Sequence, residues 1–153
     1  MIQLDTQEYV SALRELTEQG KEVSMRIWGS SMTPFLVHER DTVFFKKPDK
    51  PLKKGDIVFY QRQNGRYILH RVFDIKENGY YMVGDAQQQI EGPLQRDQIF
   101  AVVTRACRKG KMIGPGDFWW EFFAKVWIRM VGGRTVVRNA YARMKGGTHG
   151  SEQ

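Results

Sequence analysis

The chain of 153 residues contains one cysteine and no long apolar run. The single cysteine, Cys107, excludes a disulfide within the chain and agrees with a reducing compartment, although a small apolar strand residue explains it as well. No stretch approaches the ~20 consecutive apolar residues that cross a bilayer as a helix. Acidic and basic residues occur throughout positions 1–20, which excludes the apolar segment of a secretory signal peptide. These absences predict a cytoplasmic protein with neither a transmembrane anchor nor a signal peptide.

The sequence also lacks the patterns that bind metals and phosphates. We find no Cys/His spacing of a metal site and no phosphate-binding glycine loop, so we expect no cofactor. Lysine and arginine outnumber aspartate and glutamate by 24 to 17, and this net charge of +7 attracts nucleic acid or an acidic lipid surface. The basic residues are scattered, and the aromatic residues concentrate in one very apolar segment. Nucleic acid is therefore the partner that we expect least.

What the sequence does contain is a series of short strands separated by turn residues. Asn64-Gly65 is typical of a type I′ hairpin, and Asn78-Gly79 indicates a second turn. An N-terminal helix over 5–19 precedes the strands, with Asp5 and Glu8 at capping-box spacing. We predict a mainly β domain with a coiled antiparallel sheet or partial barrel. The predicted strands cover residues 23–27, 42–45, 57–60, 67–75, 80–83 and 98–107.

Residues 117–131 predict a C-terminal amphipathic helix that is apolar over most of its circumference. Its surface must be covered by its own sheet, by a second subunit or by a membrane interface. A basic segment follows, so we predict peripheral binding to an anionic membrane or a membrane-bound partner at the inner face of the membrane. The residues expected to make this contact are Trp119, Trp120, Trp127, Arg129 and Arg134. The predicted division is a catalytic domain over 1–113, a helical appendage over 114–145 and a flexible tail over 146–153.

Ser31 stands in a turn between glycine and proline, within the run Gly-Ser-Ser-Met-Thr-Pro at 29–34. Such a serine is usually a simple turn former. In this run, however, Gly29 allows a close approach of the backbone, and main-chain N–H groups near Ser30 and Met32 are placed to stabilise an oxyanion. Ser31 is the predicted nucleophile, and Ser30 is the residue most easily mistaken for it.

A base and an orienting group follow Ser31 in later segments. His70 shares the apolar face of its strand with Ile68 and Val72, and partial burial favours the neutral imidazole that a base requires. A buried histidine with a purely structural role is the alternative. Asp85 follows Gly84 at the end of a strand, where it either serves as a turn residue or orients the base. His38 is predicted to be a surface residue.

Five segments together resemble the type I signal peptidases in order and spacing. They are residues 29–34, 55–58, 70–72, 83–85 and 97–103. The wider superfamily includes self-cleaving repressors of the bacterial damage response. Most bacterial members carry a lysine before the Arg-Val pair, whereas this chain has His70, which resembles the Ser-His subtype of the endoplasmic reticulum. The resemblance implies the signal-peptidase catalytic fold, with Ser31 as nucleophile, His70 as general base and Asp85 as third member.

The resemblance implies a serine endopeptidase that cleaves a peptide or preprotein, with small side chains beside the cleaved bond. These peptidases normally carry an N-terminal membrane anchor, so its absence favours a precursor or leader peptide in the cytoplasm. A self-cleaving repressor is disfavoured, because the chain offers no Ala-Gly or Cys-Gly bond. The alternative is a catalytically silent peptide-binding or membrane-adaptor module on the same fold.

Overall fold

The structure is a computed structural model that describes residues 6–87 and 89–130. Within this part of the chain it is mainly β with one antiparallel sheet, as predicted, and the sheet has eight strands. The helices and turns are α1 (Thr6–Glu18), a 3₁₀ turn (Arg96–Gln98), α2 (Phe118–Phe122) and a π-helical turn (Phe123–Trp127). The strands are β1 (Val23–Arg26), β2 (Thr42–Lys46), β3 (Ile57–Gln61), β4 (Tyr67–Lys76), β5 (Gly79–Val83), β6 (Glu91–Leu94), β7 (Ile99–Arg108) and β8 (Lys111–Ile113).

The strand order β1-β2-β7-β3-β4-β5-β6 places the late strand β7 between β2 and β3, and β8 also pairs with β7. The hairpins β3–β4 and β4–β5 join strands that are adjacent in the chain. This arrangement puts β4, which carries His70, next to β5, after which Gly84 and Asp85 follow. The loop between β1 and β2 carries Ser31.

The main core lies between α1, the sheet and the C-terminal helix. Val10 and Leu13 of α1 are buried against aromatic side chains of the strands, including Phe45 and Phe59, whose rings lie 4.7 Å apart. A second buried cluster contains Tyr60 and Val72, with Ile68 packed against it. The apolar face predicted around His70 is therefore present, and it shields the imidazole from water.

The hairpin at Asn64-Gly65 forms, but its turn is not of type I′. Gly65 has φ +93°, whereas Asn64 is not among the residues with positive φ, and type I′ requires both. The Gly65 N–H donates to the Arg62 carbonyl oxygen, and the Arg62 N–H donates to that of Arg66. This is the type I turn with a glycine bulge, the arrangement of three-residue hairpin loops.

Two short strands were missed by the sequence analysis, and the C-terminal helix differs from its prediction. β6 contains glycine and proline and β8 has three residues, so neither has a strand-like pattern. The helix begins after Asp117 as predicted, but it widens into a π-helical turn at Phe123. Asp5 of the predicted capping box and residue 131 of the predicted helix lie outside the described residues, as does the predicted tail.

Candidate active site

Ser31 is half-buried in the loop between β1 and β2, and two side chains hold that loop. Gly29 adopts φ +89°, which favours glycine, and its N–H donates to Nδ1 of His38 at 2.8 Å. His38 is exposed, as predicted, but it also fixes the start of the loop. The Gly29 N–H is thus engaged, so Gly29 contributes to the turn rather than to an oxyanion site.

Asp41 closes the other end of this loop. Its side chain is buried and accepts hydrogen bonds from the main-chain N–H of Val37 at 2.8 Å and of Lys109 at 3.0 Å. Arg40 donates two further hydrogen bonds to the same carboxylate. Burial acts to raise the pKa of Asp41, but these hydrogen bonds outweigh it and hold the pKa below its usual value. No role was predicted for Asp41; of its partners, Lys109 lies 68 residues away in the chain, so no local pattern indicates that contact.

His70 lies in the middle of β4, opposite Val58 of β3, and only 5% of its surface is exposed. Burial lowers the pKa of His70 to about 4, because the low-polarity surroundings disfavour the imidazolium. The imidazole is therefore neutral near pH 7. This is the protonation state that a general base needs.

Gly84 brings Ser31 and His70 together. A Cβ atom on Gly84 would lie 2.6 Å from the Ser31 carbonyl oxygen and 3.0 Å from Cδ2 of His70. The Ala86 N–H donates to the same Ser31 carbonyl oxygen at 2.9 Å, which ties the serine loop to the turn after β5. The two predicted catalytic residues, 39 positions apart in the chain, thus both lie close to one glycine.

Asp85 is buried beside them, and both of its carboxylate oxygens accept hydrogen bonds from Arg71, at 2.8 and 2.7 Å. A third hydrogen bond joins the Arg71 guanidinium to the Gly55 carbonyl oxygen at 2.8 Å. Asp85 therefore directs its carboxylate at an arginine, whereas the side chain that contacts Nδ1 of His70 is Tyr60. The predicted role of Asp85 as third catalytic member stays a prediction.

Residues 2–107 match the Peptidase S24-like family. The chain belongs to this family. Its fold is that of serine peptidases and self-cleaving repressors, in agreement with the superfamily that the sequence motifs indicated. No curated protein and no solved structure matches the chain. Ser31, His70 and Asp85 all lie within the matched residues.

In this Peptidase S24-like chain, three main-chain N–H groups around the serine are available as donors. Those of Ser30, Ser31 and Met32 make no hydrogen bond with another residue of the described segments. Met32 is buried, so its N–H is fixed by packing. The Ser31 hydroxyl likewise has no partner among the described residues. Contacts between a nucleophile and its base are often long without substrate and tighten when substrate binds.

A hydrogen-bonded chain that the sequence analysis missed ends at His70. Nδ1 of His70 lies 3.2 Å from the Tyr60 hydroxyl, which donates to Glu91 Oε1 at 2.7 Å. Arg62 donates two hydrogen bonds of 2.9 Å to the two oxygens of Glu91. We call Tyr60, Glu91 and Arg62 the tyrosine array. Glu91 is 31 residues from Tyr60 in the chain, so no local pattern indicates this contact.

The residues predicted to contact a membrane divide into three groups. Trp120 is buried and packs edge-on against Phe35, and Trp127 is half-buried and donates to the Asp85 carbonyl oxygen. Trp119 and Arg129 are exposed. Arg134 lies outside the described residues. The domain's own core therefore covers one side of the helix and leaves another side exposed.

The described segments lack two further features. No cluster of three His, Cys, Asp or Glu side chains there has the geometry to hold a metal ion. Among the helices of residues 6–87 and 89–130, none has the length and apolar character that crossing a membrane requires.

Proposed function

We propose that the chain is a serine endopeptidase of the signal-peptidase type that cleaves a precursor or leader peptide. The observation that supports it most is that the Ser31 main chain and the His70 ring both approach Gly84, with His70 buried and neutral. The motif order supports the Ser-His subtype, because the histidine stands where most bacterial signal peptidases have lysine. A neutral imidazole accepts a proton directly, whereas a lysine must first lose its charge by desolvation.

The proposed reaction begins when Nε2 of His70 takes the proton of the Ser31 hydroxyl. The serine oxygen then bonds to the peptide carbonyl carbon, and the carbonyl electron pair moves to the oxygen. The N–H groups of Ser31 and Met32, which donate to no other described residue, are suited to stabilise this oxyanion. The imidazolium returns its proton to the leaving amine, and the carbon–nitrogen bond breaks. Water, deprotonated by His70, hydrolyses the acyl-enzyme in the same way.

A catalytically silent peptide-binding module is the second candidate. The Ser31 hydroxyl, which has no partner within residues 6–87 and 89–130, favours it, because an active dyad joins nucleophile and base by a hydrogen bond. The two candidates differ in one measurable property, which is the reactivity of Ser31 towards an acylating reagent.

The deciding experiment treats the purified full chain with a serine acylating reagent and maps the modified residue by mass spectrometry. We expect a single modification at Ser31. Ser31→Ala should abolish the modification, and the neighbouring variant Ser30→Ala should retain it, since Ser30 is exposed, whereas Ser31 is the serine whose main chain approaches Gly84. Modification at other serines only, or equal labelling of the Ser31→Ala protein, would reject the assignment and favour the silent module.

We also propose that the exposed side of the C-terminal helix rests on an anionic membrane surface. Phe118 is 69% exposed, Trp119 48% and Met130 58%, which is unusual for apolar side chains of this size. The exposed Arg129 lies in the same segment, and the Arg108 guanidinium lies 5.9 Å from the Trp119 ring centroid. Aromatic rings beside arginines suit the headgroup region of anionic lipid.

This membrane proposal is tested by sedimentation with vesicles of anionic or neutral lipid. The full chain should sediment with anionic vesicles only, and salt should weaken the binding. Phe118→Ser with Trp119→Ser should reduce it strongly, whereas Met112→Ser on β8, where 44% of the methionine is exposed, is the matched control. If the protein forms a stable dimer and does not sediment with either type of vesicle, this face instead contacts a second copy of the chain.

A further inference from the structure

The hydrogen-bond donors and acceptors of the tyrosine array can be assigned one by one. A tyrosine hydroxyl has one hydrogen, and an ionised carboxylate has none. The short contact of 2.7 Å between the Tyr60 hydroxyl and Glu91 Oε1 uses that hydrogen. The Tyr60 oxygen can therefore only accept at its other contact, which is Nδ1 of His70 at 3.2 Å. Nδ1 must then carry the imidazole hydrogen.

This assignment requires Glu91 to be ionised and Tyr60 to be neutral. Burial acts to raise the pKa of Glu91, but hydrogen bonds from Arg62 and Tyr60 outweigh it and hold the pKa below its usual value. Burial, together with the neighbouring Glu91 charge, raises the pKa of Tyr60 well above its usual value. At neutral pH the carboxylate thus accepts and the phenol keeps its hydrogen.

The orientation of the His70 ring makes this assignment matter for catalysis. The ring atom that comes within 3.0 Å of a Cβ on Gly84 is Cδ2, which is bonded to Nε2, and the Ser31 carbonyl oxygen lies near the same Cβ position. With the hydrogen on Nδ1, the lone pair is on Nε2, next to the ring carbon that approaches Gly84. The other tautomer would direct an N–H at the serine, and an N–H cannot accept a proton.

We propose that Tyr60 and Glu91 fix the tautomer of His70. Both act as positioning residues, in the place that an aspartate holds in a serine-histidine-aspartate triad. Arg62 keeps the Glu91 carboxylate in place through its paired hydrogen bonds. The role of the array in catalysis rests on the proposed peptidase function, but the tautomer of His70 does not, so the two can be tested apart.

The first test reads the tautomer directly, by nitrogen NMR of the full chain with isotope-labelled histidine rings at pH 7. His70→Gln identifies the signals of His70 among the 3 histidines. We expect a hydrogen on Nδ1 and an unprotonated Nε2 in the wild-type protein. A hydrogen on Nε2 would overturn the proposal whether or not the protein cleaves peptides. If Nδ1 carries the hydrogen but Ser31 does not react, the proposal for the tyrosine array stands and the peptidase function is rejected.

The second test uses the acylation rate of Ser31 in variants of the array. Glu91→Leu fills the site without an acceptor, so the Tyr60 hydroxyl turns its hydrogen to Nδ1 and moves the imidazole hydrogen to Nε2. We expect the rate to fall by about 10²-fold or more, the contribution of a general base. Adding Tyr60→Phe to Glu91→Leu removes this wrong donor, so the double variant should react faster than Glu91→Leu alone.

This recovery separates tautomer control from a structural role. If the array only supported the fold, the rate losses from the two substitutions would add, and the double variant would react most slowly. Such a result, with the His70 signals unchanged in Glu91→Leu, would overturn the proposal. Tyr80→Phe is the matched control, because Tyr80 packs against the same buried cluster as Tyr60 and makes no hydrogen bond through its hydroxyl among the described residues. Its rate and its His70 signals should equal those of the wild type.

Discussion

Trp127 donates its indole N–H to the main-chain carbonyl oxygen of Asp85 at 2.8 Å. This contact joins the C-terminal helix to the turn after β5, one residue from Gly84. A second close contact lies beneath the helix, because a Cβ atom on Gly55 would approach the Ala124 carbonyl oxygen to 2.8 Å. The helix that the sequence indicated as an appendage thus packs directly on the turns at Gly55 and Asp85, next to the predicted catalytic residues.

Replacing Trp127 by phenylalanine should therefore affect both stability and the site. Trp127→Phe keeps an aromatic ring in place but removes the hydrogen bond, and we expect a loss of about 1 kcal/mol in the free energy of unfolding. The Ala86 amide should exchange its hydrogen faster, because it belongs to the turn that Trp127 holds. Urea unfolding and hydrogen exchange measure the two effects. Trp119→Phe, at an exposed position, should change neither.

Gly84→Ala should inactivate the site by steric conflict. The new methyl group would meet the Ser31 carbonyl oxygen at 2.6 Å and Cδ2 of His70 at 3.0 Å, so the serine loop must shift and the imidazole must give way. A misplacement of about 1 Å costs on the order of 10²-fold in rate. Acylation of Ser31 is the measurement. Gly114→Ala is the control, since a Cβ atom there lies 3.6 Å from its nearest neighbour, the Thr104 carbonyl oxygen. Equal acylation rates in the two variants would contradict this account.

Acid should inactivate the protein well below the usual pKa of histidine. Burial lowers the pKa of His70 to about 4, and the groups facing the imidazole are Tyr60, Glu91 and Arg62. The base keeps its lone pair until the pH approaches that value, so the acidic limb of kcat/KM should lie near pH 4 rather than near 6.5. Rates of Ser31 acylation across pH 3.5–8 give the profile, and a limb near pH 6.5 would contradict it.

The lowered pKa of His70 also makes the stability of the protein depend on pH. The native state binds fewer protons than the unfolded state between about pH 6.5 and 4, so stability should fall as the pH is lowered through this range. Over the whole range, the free energy of unfolding should fall by about 3 kcal/mol. Denaturant unfolding at several pH values measures it, and His70→Gln should lack this component while keeping the contribution of Asp41 at lower pH.

Local patterns allowed the strands and the serine loop to be predicted, because alternation and turn residues act over a few positions. Ser31 and His70 could be singled out for the same reason, since each stands in a short motif. The contact between Tyr60 and Glu91 could not be predicted, because it depends on how β3 and β6 approach in the folded sheet. The turn at Asn64-Gly65 shows that a local pattern can also be ambiguous. This dipeptide is compatible with two hairpin types, and the strand register selects between them.

The ion pair between Arg71 and Asp85 offers the last prediction, because its two possible roles have different outcomes. Both side chains are 1% exposed, and Arg71 also donates to the Gly55 carbonyl oxygen. Asp85→Ala leaves the arginine charge buried without its partner, so we expect a loss of about 3–5 kcal/mol in the free energy of unfolding. Asp49→Ala, which breaks an exposed pair with Lys46, should leave Tm almost unchanged and serves as the control.

The double variant Arg71→Met with Asp85→Leu then distinguishes structure from catalysis. Replacing both charges by apolar side chains removes the buried unpaired charge, so most of the lost stability should return. If Asp85 only holds the turn that carries Gly84, Ser31 acylation should return with the fold, because the contact to Nδ1 of His70 comes from Tyr60. A double variant that is stable but unreactive would instead support the third catalytic role that the motif resemblance implies for Asp85. Unfolding curves and acylation rates on the same samples decide between the two.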